Sequence, residues 1–161
     1  MTRRDFAAIG MTTAFALGPQ AASAADPAEL RSELLFDVVL TAMAPNEVSP
    51  ERTVVGVANG TFEGPKLKGT VIGPSGDWIV TRRDGSRLLD ARMLLQTDDG
   101  QHVYMSLRGI AYTPPGGSLH ARIVPMFETG ATKYAWLNNV VAVGVYRPTP
   151  GKIAYRVYEI L

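Results

Sequence analysis

Aspartate and arginine stand two residues apart in Leu89-Asp90-Ala91-Arg92, and another arginine, Arg108, follows in the next segment. On a strand that spacing puts both side chains on one face, about 6.6 Å apart along the chain. An aspartate held between two guanidinium groups is fixed in orientation. It can accept a substrate hydrogen bond or take a proton, while the arginines hold an anionic or enolate oxygen. Trp78 and Tyr104 fall on the same face and would add apolar contact. Glu128, in Phe127-Glu128-Thr129-Gly130, is a second carboxylate, with acid/base chemistry and capping of the following turn both open to it. Tyr134 and Trp136 either seal one end of the fold as core or wall a pocket. The competing account of Asp90, Arg92 and Arg108 is a solvated sheet face, whose ion pairs contribute roughly 0–1 kcal/mol each.

Other chemistries lack their residues. There is no G-x-S-x-G elbow, no H-E-x-x-H and no G-x-G-x-x-G. The glycine spacing from Gly64 to Thr70 resembles a phosphate loop but lacks the lysine before the hydroxyl residue. Cysteine is absent, which removes thiol catalysis, thiolate metal ligation and disulfides. Only His102 and His120 could supply imidazole to a metal, and each reads more simply as a strand or loop residue. Neither a metal nor a cofactor is expected.

The N-terminus has its own grammar. Thr2-Arg3-Arg4-Asp5-Phe6 is a basic segment with a twin arginine, Ala7 to Gly18 is uncharged, and Ala22-Ser23-Ala24 is a small-residue cleavage site. The apolar run is shorter than the ~18–20 residues that span a bilayer. Residues 1–24 are therefore expected to be a cleavable twin-arginine signal, and 25–161 a single domain working in the periplasm or outside the cell. Without residues 1–24, which hold two arginines and one aspartate, the chain carries 14 basic and 14 acidic residues. That balance argues against nucleic acid as partner and against stable membrane anchoring after cleavage.

The mature segment reads as strands divided by turn residues, with no long helical period. Leu34 to Met43, Thr53 to Val57 and Thr61 to Ile72 are expected strands, with Asn59-Gly60 a turn and 73–76 a loop. Arg83-Asp84-Gly85 and Asp98-Asp99-Gly100 are three-residue loops ending in glycine, a type that fixes register. They set Trp78 opposite Asp90, Asp90 opposite Arg108, Leu94 opposite Tyr104 and Gln96 opposite His102. One face then carries the polar set, and the other Ile79, Leu89, Ala91, Met93, Leu95, Val103, Met105 and Leu107. His120 to Glu128, with Pro125 inside it, reads as an edge or bulged strand. Residues 129–138 read as a single helical turn, and Val140 to Tyr146 with Ile153 to Ile160 as a last hairpin. About nine or ten short strands predict an all-β protein, a single antiparallel barrel, with a sandwich as the alternative.

Three blocks carry a resemblance: Gly60-Thr61-Phe62-Glu63-Gly64-Pro65-Lys66-Leu67-Lys68-Gly69; Leu89-Asp90-Ala91-Arg92 with Thr97-Asp98-Asp99-Gly100; and Phe127-Glu128-Thr129-Gly130 with Tyr134-Ala135-Trp136-Leu137-Asn138. Together they resemble uncharacterised protein family 0311, also called domain of unknown function 3237. The resemblance implies a compact, lipocalin-like β-barrel and no particular activity. The expected function is binding of a small, partly apolar molecule inside the barrel, through Trp78, Tyr104, Tyr134 and Trp136, with Asp90, Arg92 and Arg108 orienting it. One alternative is a cofactor-free lyase, isomerase or hydrolase using Asp90 or Glu128 as acid/base. Another is a structural module that forms homo-oligomers through apolar outer strands.

Overall fold

The computed structural model describes residues 29–161, so the signal reading of residues 1–24 lies outside the described residues. The strands are β1 (Ser32–Ala42), β2 (Asn46–Glu47), β3 (Arg52–Glu63), β4 (Lys68–Thr81), β5 (Arg87–Thr97), β6 (His102–Tyr112), β7 (His120–Glu128), β8 (Ala142–Tyr146) and β9 (Ile153–Ile160). A 3-10 helix over Thr132–Asn139 joins β7 to β8. The strand order is β1-β9-β8-β7-β6-β5-β4-β3-β2, and β1 also pairs with β3. That pairing closes the circuit. Eight antiparallel strands make a barrel, and the two-residue β2 is an addition to β3. The expected barrel is present, and its closure rules out a sandwich.

Two glycine-closed turns set the register that the sequence predicts. Gly85 and Gly100 both have φ +79°, where a side chain would be strained. Gly85 N–H donates to Arg82 O at 3.0 Å and Gly100 N–H to Thr97 O at 2.8 Å. Between β5 and β6, Asp90 lies opposite Arg108, Leu94 opposite Tyr104 and Gln96 opposite His102. Because side chains alternate along a strand, Leu89, Ala91, Met93, Leu95, Val103, Met105 and Leu107 all point inward, and all are buried.

Two expected breaks are not breaks. β3 runs straight through Asn59-Gly60, and the true turn is Gly64 to Leu67, closed by Gly64 N–H donating to Leu67 O at 2.9 Å. Gly60 is there for closeness: a Cβ would sit 2.8 Å from the Val39 carbonyl oxygen. Likewise β4 continues through 73–76 as a bulge, where its register against β5 shifts. The Ser75 hydroxyl donates to Ile72 O at 2.6 Å and accepts Leu94 N–H at 2.9 Å, satisfying groups that the irregular ladder leaves unpaired. In β7, Pro125 lies beyond the two positions that pair with β8, Arg122 and Ile123, so its missing N–H costs that ladder nothing.

The two barrel ends differ. At one, the 3-10 helix buries Tyr134 and Leu137, with Val140 just beyond it, over an edge-to-face cluster of Phe36 with Phe62 (5.7 Å) and Phe127 (5.9 Å). Asp99 ties the β5–β6 turn to this plug, accepting from Lys133 Nζ at 2.6 Å and Tyr134 OH at 3.0 Å. Thr129 and Asn138 bond reciprocally beneath it. The other end, framed by the β4–β5, β6–β7 and β8–β9 loops, stays open. An eight-stranded barrel is just wide enough to be filled by side chains or to hold one small ligand, and this one is filled at one end only.

A candidate acid site in the open end

Beneath the open end lies a cavity of about 230 Å³, lined by Val57, Leu89, Ala91, Met93, Ala121 and Ile153 among others. Apolar cavities of about 150 Å³ admit benzene, so a molecule of one or two rings fits. Asp77, Arg87, Tyr146 and Tyr155 are the polar side chains in this lining.

Asp77 comes from β4, opposite Val55 on one side and Ala91 on the other. It shares the inward parity of Ala91 and Leu89. The β4–β5 pairing runs from Gly76–Arg92 and Asp77–Ala91 to Val80–Leu88, and in the interval the Asp90 amide donates to Asp77 Oδ1 at 2.9 Å. Burial pushes the Asp77 carboxyl above its ordinary value. The Asp90 amide and the Arg87 charge pull the other way without cancelling that effect, and the Asp90 charge adds to the rise. The group is a weaker acid than usual, anchored by a backbone donor and walled by hydrocarbon.

Tyr155, on β9, is buried and meets Tyr146 edge-on at 5.8 Å. Burial, then the Asp77 charge, pushes its phenol well above the normal range, so it is a neutral hydroxyl donor at any ordinary pH. Arg87 stands at the rim. It lines the cavity and also an open hollow of about 560 Å³ on the outside, shared with Arg82, Ser86, Tyr112 and Pro114. The site thus holds a carboxyl group, two phenols and a guanidinium around an apolar space.

The residues singled out from sequence lie elsewhere, and their expected place inside the barrel is corrected. Trp78 and Tyr104 are each 39% exposed on the outer surface. Asp90 pairs with Arg92 at 3.3 Å, and Arg92 lies over the Trp78 ring at 5.4 Å. Arg108 is opposite Asp90 in register but forms no ion pair with it among the described residues. Asp90, Arg92, Tyr104 and Arg108 share a shallow outer hollow of about 410 Å³ with Val124 and Met126. A barrel wall has one inner face, and the apolar parity occupies it. Glu128 is also outside, opposite Tyr104. The 3-10 helix carries no side-chain cap, and the Thr129 hydroxyl accepts Ala131 N–H at 3.1 Å in the turn that leads into it. Tyr134 and Trp136 belong to the plugged end, Trp136 half-buried with Lys66 5.3 Å above its ring. They seal the barrel and do not reach the open cavity. His102 and His120 lie at opposite ends of their strands' span, His120 stacked on Tyr112 at 5.5 Å.

Asp77, Arg87, Tyr146 and Tyr155 are the residues that the sequence reading passes over. A signal for Asp77 existed. Two positions before Ile79 and opposite Ala91, it is a carboxylate on the apolar parity, and that is where a buried polar group has to be explained.

The sequence model described as "Protein of unknown function (DUF3237)" matches residues 30–160. The chain is 25% identical over 150 residues to a UPF0311 protein of Clostridium acetobutylicum, covering 82% of this chain and 95% of that one. It is 37% identical over 90 residues to the hydroalkoxylation enzyme phnH of Penicillium herquei, covering 55% of this chain and 52% of that one. Among solved structures, a beta-barrel like protein of Acinetobacter baumannii superposes with a TM-score of 0.77 at 27% identity, over 86% of this chain and all of that one.

Proposed function

Because the chain belongs to the DUF3237 family of proteins of unknown function, we propose its function from its own cavity: a small, largely apolar, unsaturated molecule enters the open end, and Asp77 exchanges a proton with it without a cofactor. The observation that carries this is the Asp77 carboxyl, anchored by the Asp90 amide in an apolar cavity and made less acidic by burial. A carboxyl group shifted toward the working pH is available both as acid and as base. Tyr155 can donate to a carbonyl or enolate oxygen while the proton moves.

The similarity to a hydroalkoxylation enzyme suggests one reaction of this type. An alcohol adds across a carbon–carbon double bond. The carboxyl proton goes to one carbon, a C–O bond forms at the other, and the alcohol proton returns to the carboxylate. When the hydroxyl belongs to the same unsaturated molecule, the balance closes without redox change or a second reactant, which suits a site with one titrating carboxyl group.

Deuterium exchange into 2-tetralone, a bicyclic ketone with enolisable hydrogens, tests the proposal by NMR. The wild-type protein should accelerate exchange over buffer, and Asp77→Asn should remove about 10²–10⁴-fold of that acceleration. A wild-type protein no faster than buffer would leave ligand binding without proton transfer.

The export grammar of residues 1–24 belongs to the same proposal, with the mature domain working outside the bacterial cytoplasm. Changing Arg3 and Arg4 to lysine should leave the precursor uncleaved in the cytoplasm. Normal processing of that variant would rule out the twin-arginine route.

A further inference from the structure

Arg87 is the single cationic side chain of the cavity lining, and no carboxylate among the described residues pairs with it. Of the ion pairs among the described residues, none involves Arg87. The nearest rim carboxylate in sequence, Asp84, is occupied in its own turn, accepting Ser86 N–H at 2.9 Å and the Ser86 hydroxyl at 2.7 Å. Asp77, the other charged residue of the lining, feels the Arg87 charge but forms no ion pair with it. The guanidinium stem packs at the mouth, half-buried, with the apolar cavity on one side and the open hollow on the other. A charge kept partly out of water without a partner is costly, and a planar guanidinium is the group best shaped to recover that cost from a carboxylate or another ionised oxygen.

We infer that the natural ligand is an organic anion with a flat apolar body, which lodges its body among Leu89, Ala91 and Met93 and leaves its ionised oxygen group at the rim on Arg87. This rests on reading the cavity as the ligand site, and it adds the ligand's chemical class and its direction of entry. The body goes in first, because the apolar lining lies inside and the cation at the mouth. The reacting carbon then lies on the inner part of the molecule, beside Asp77 and Tyr155, while the anionic group stays at the exit.

Two probes of matched shape separate the possibilities: 2-naphthoate and neutral 2-methylnaphthalene, titrated by fluorescence at neutral pH into the mature protein. Naphthoate should bind at least about tenfold more tightly, and Arg87→Met, which keeps an apolar stem, should abolish that preference while leaving the methylnaphthalene affinity within about twofold. Ala91→Leu, which fills the cavity, should weaken both. Equal affinities for the two probes in the wild-type protein, or a naphthoate preference that survives Arg87→Met, would overturn the anion assignment while the cavity reading stands. Failure of both probes to bind, or binding unaffected by Ala91→Leu, would overturn the cavity reading and the assignment with it.

Discussion

Asp77 and Asp90 are linked by one hydrogen bond and live in different solvents. The backbone of Asp90 serves the cavity, since its amide anchors Asp77, while its side chain faces outward to Arg92. The two carboxylates should therefore answer differently to the same isosteric change. Folding raises the Asp77 pKa, so its ionised form is penalised in the folded state and not in the unfolded one. That penalty is complete above the raised folded value. It fades as pH falls through that value, and is gone below the ordinary carboxylate range. Asp77→Asn should thus be more stable than wild type at pH 7.5, and the advantage should shrink toward pH 3.5. Urea denaturation at both pH values measures this, and a pH-independent difference would mean that the group titrates normally. Asp90→Asn loses only an exposed pair and should change stability by about 0–1 kcal/mol.

At the scale of elements, the hairpins around Gly85 and Gly100 carry their own register, which is why the β5–β6 parity is legible in the amino-acid sequence alone. Neighbouring residues on β6 give the check. Met105 is fully buried and outside the cavity lining, whereas Tyr104 is on the outer face. Met105→Asp should cost several kcal/mol or prevent folding, about the scale of an unpaired buried charge; Tyr104→Ser should cost about 0.5 kcal/mol. Thermal melts of the two variants decide it, and similar values would contradict the inward parity. What the sequence could not carry was the fate of β4. Its bulge is satisfied by the Ser75 side chain, which reaches across to Leu94 on the neighbouring strand, so 73–76 reads locally as a loop and the strand as starting near Trp78. Asp77 then falls at a strand edge and loses its meaning. The polar outer face misled for a related reason. Clustered charge marks a pocket only when the fold turns that face inward, and closure joins the first strand to the last, β1 to β9, a long-range pairing with no local signature.

At the scale of the whole molecule, the plug matters as much as the pocket. The 3-10 helix, the Asp99 contacts and the phenylalanine cluster close one end of the barrel, and the proposed site lies under the other. Two molecules that use the cavity cannot pass one another inside it. Naphthoate should accordingly inhibit tetralone exchange by pure competition, raising the apparent KM and leaving kcat unchanged. A fall in kcat at saturating tetralone would point to a second site, for which the outer hollow around Asp90 and Arg108 is the place to look. A barrel with one doorway is a dead-end street: whatever is made inside must back out the way it came before the next molecule can arrive, so the rate of departure past Arg87 sets a ceiling on turnover however fast the proton moves.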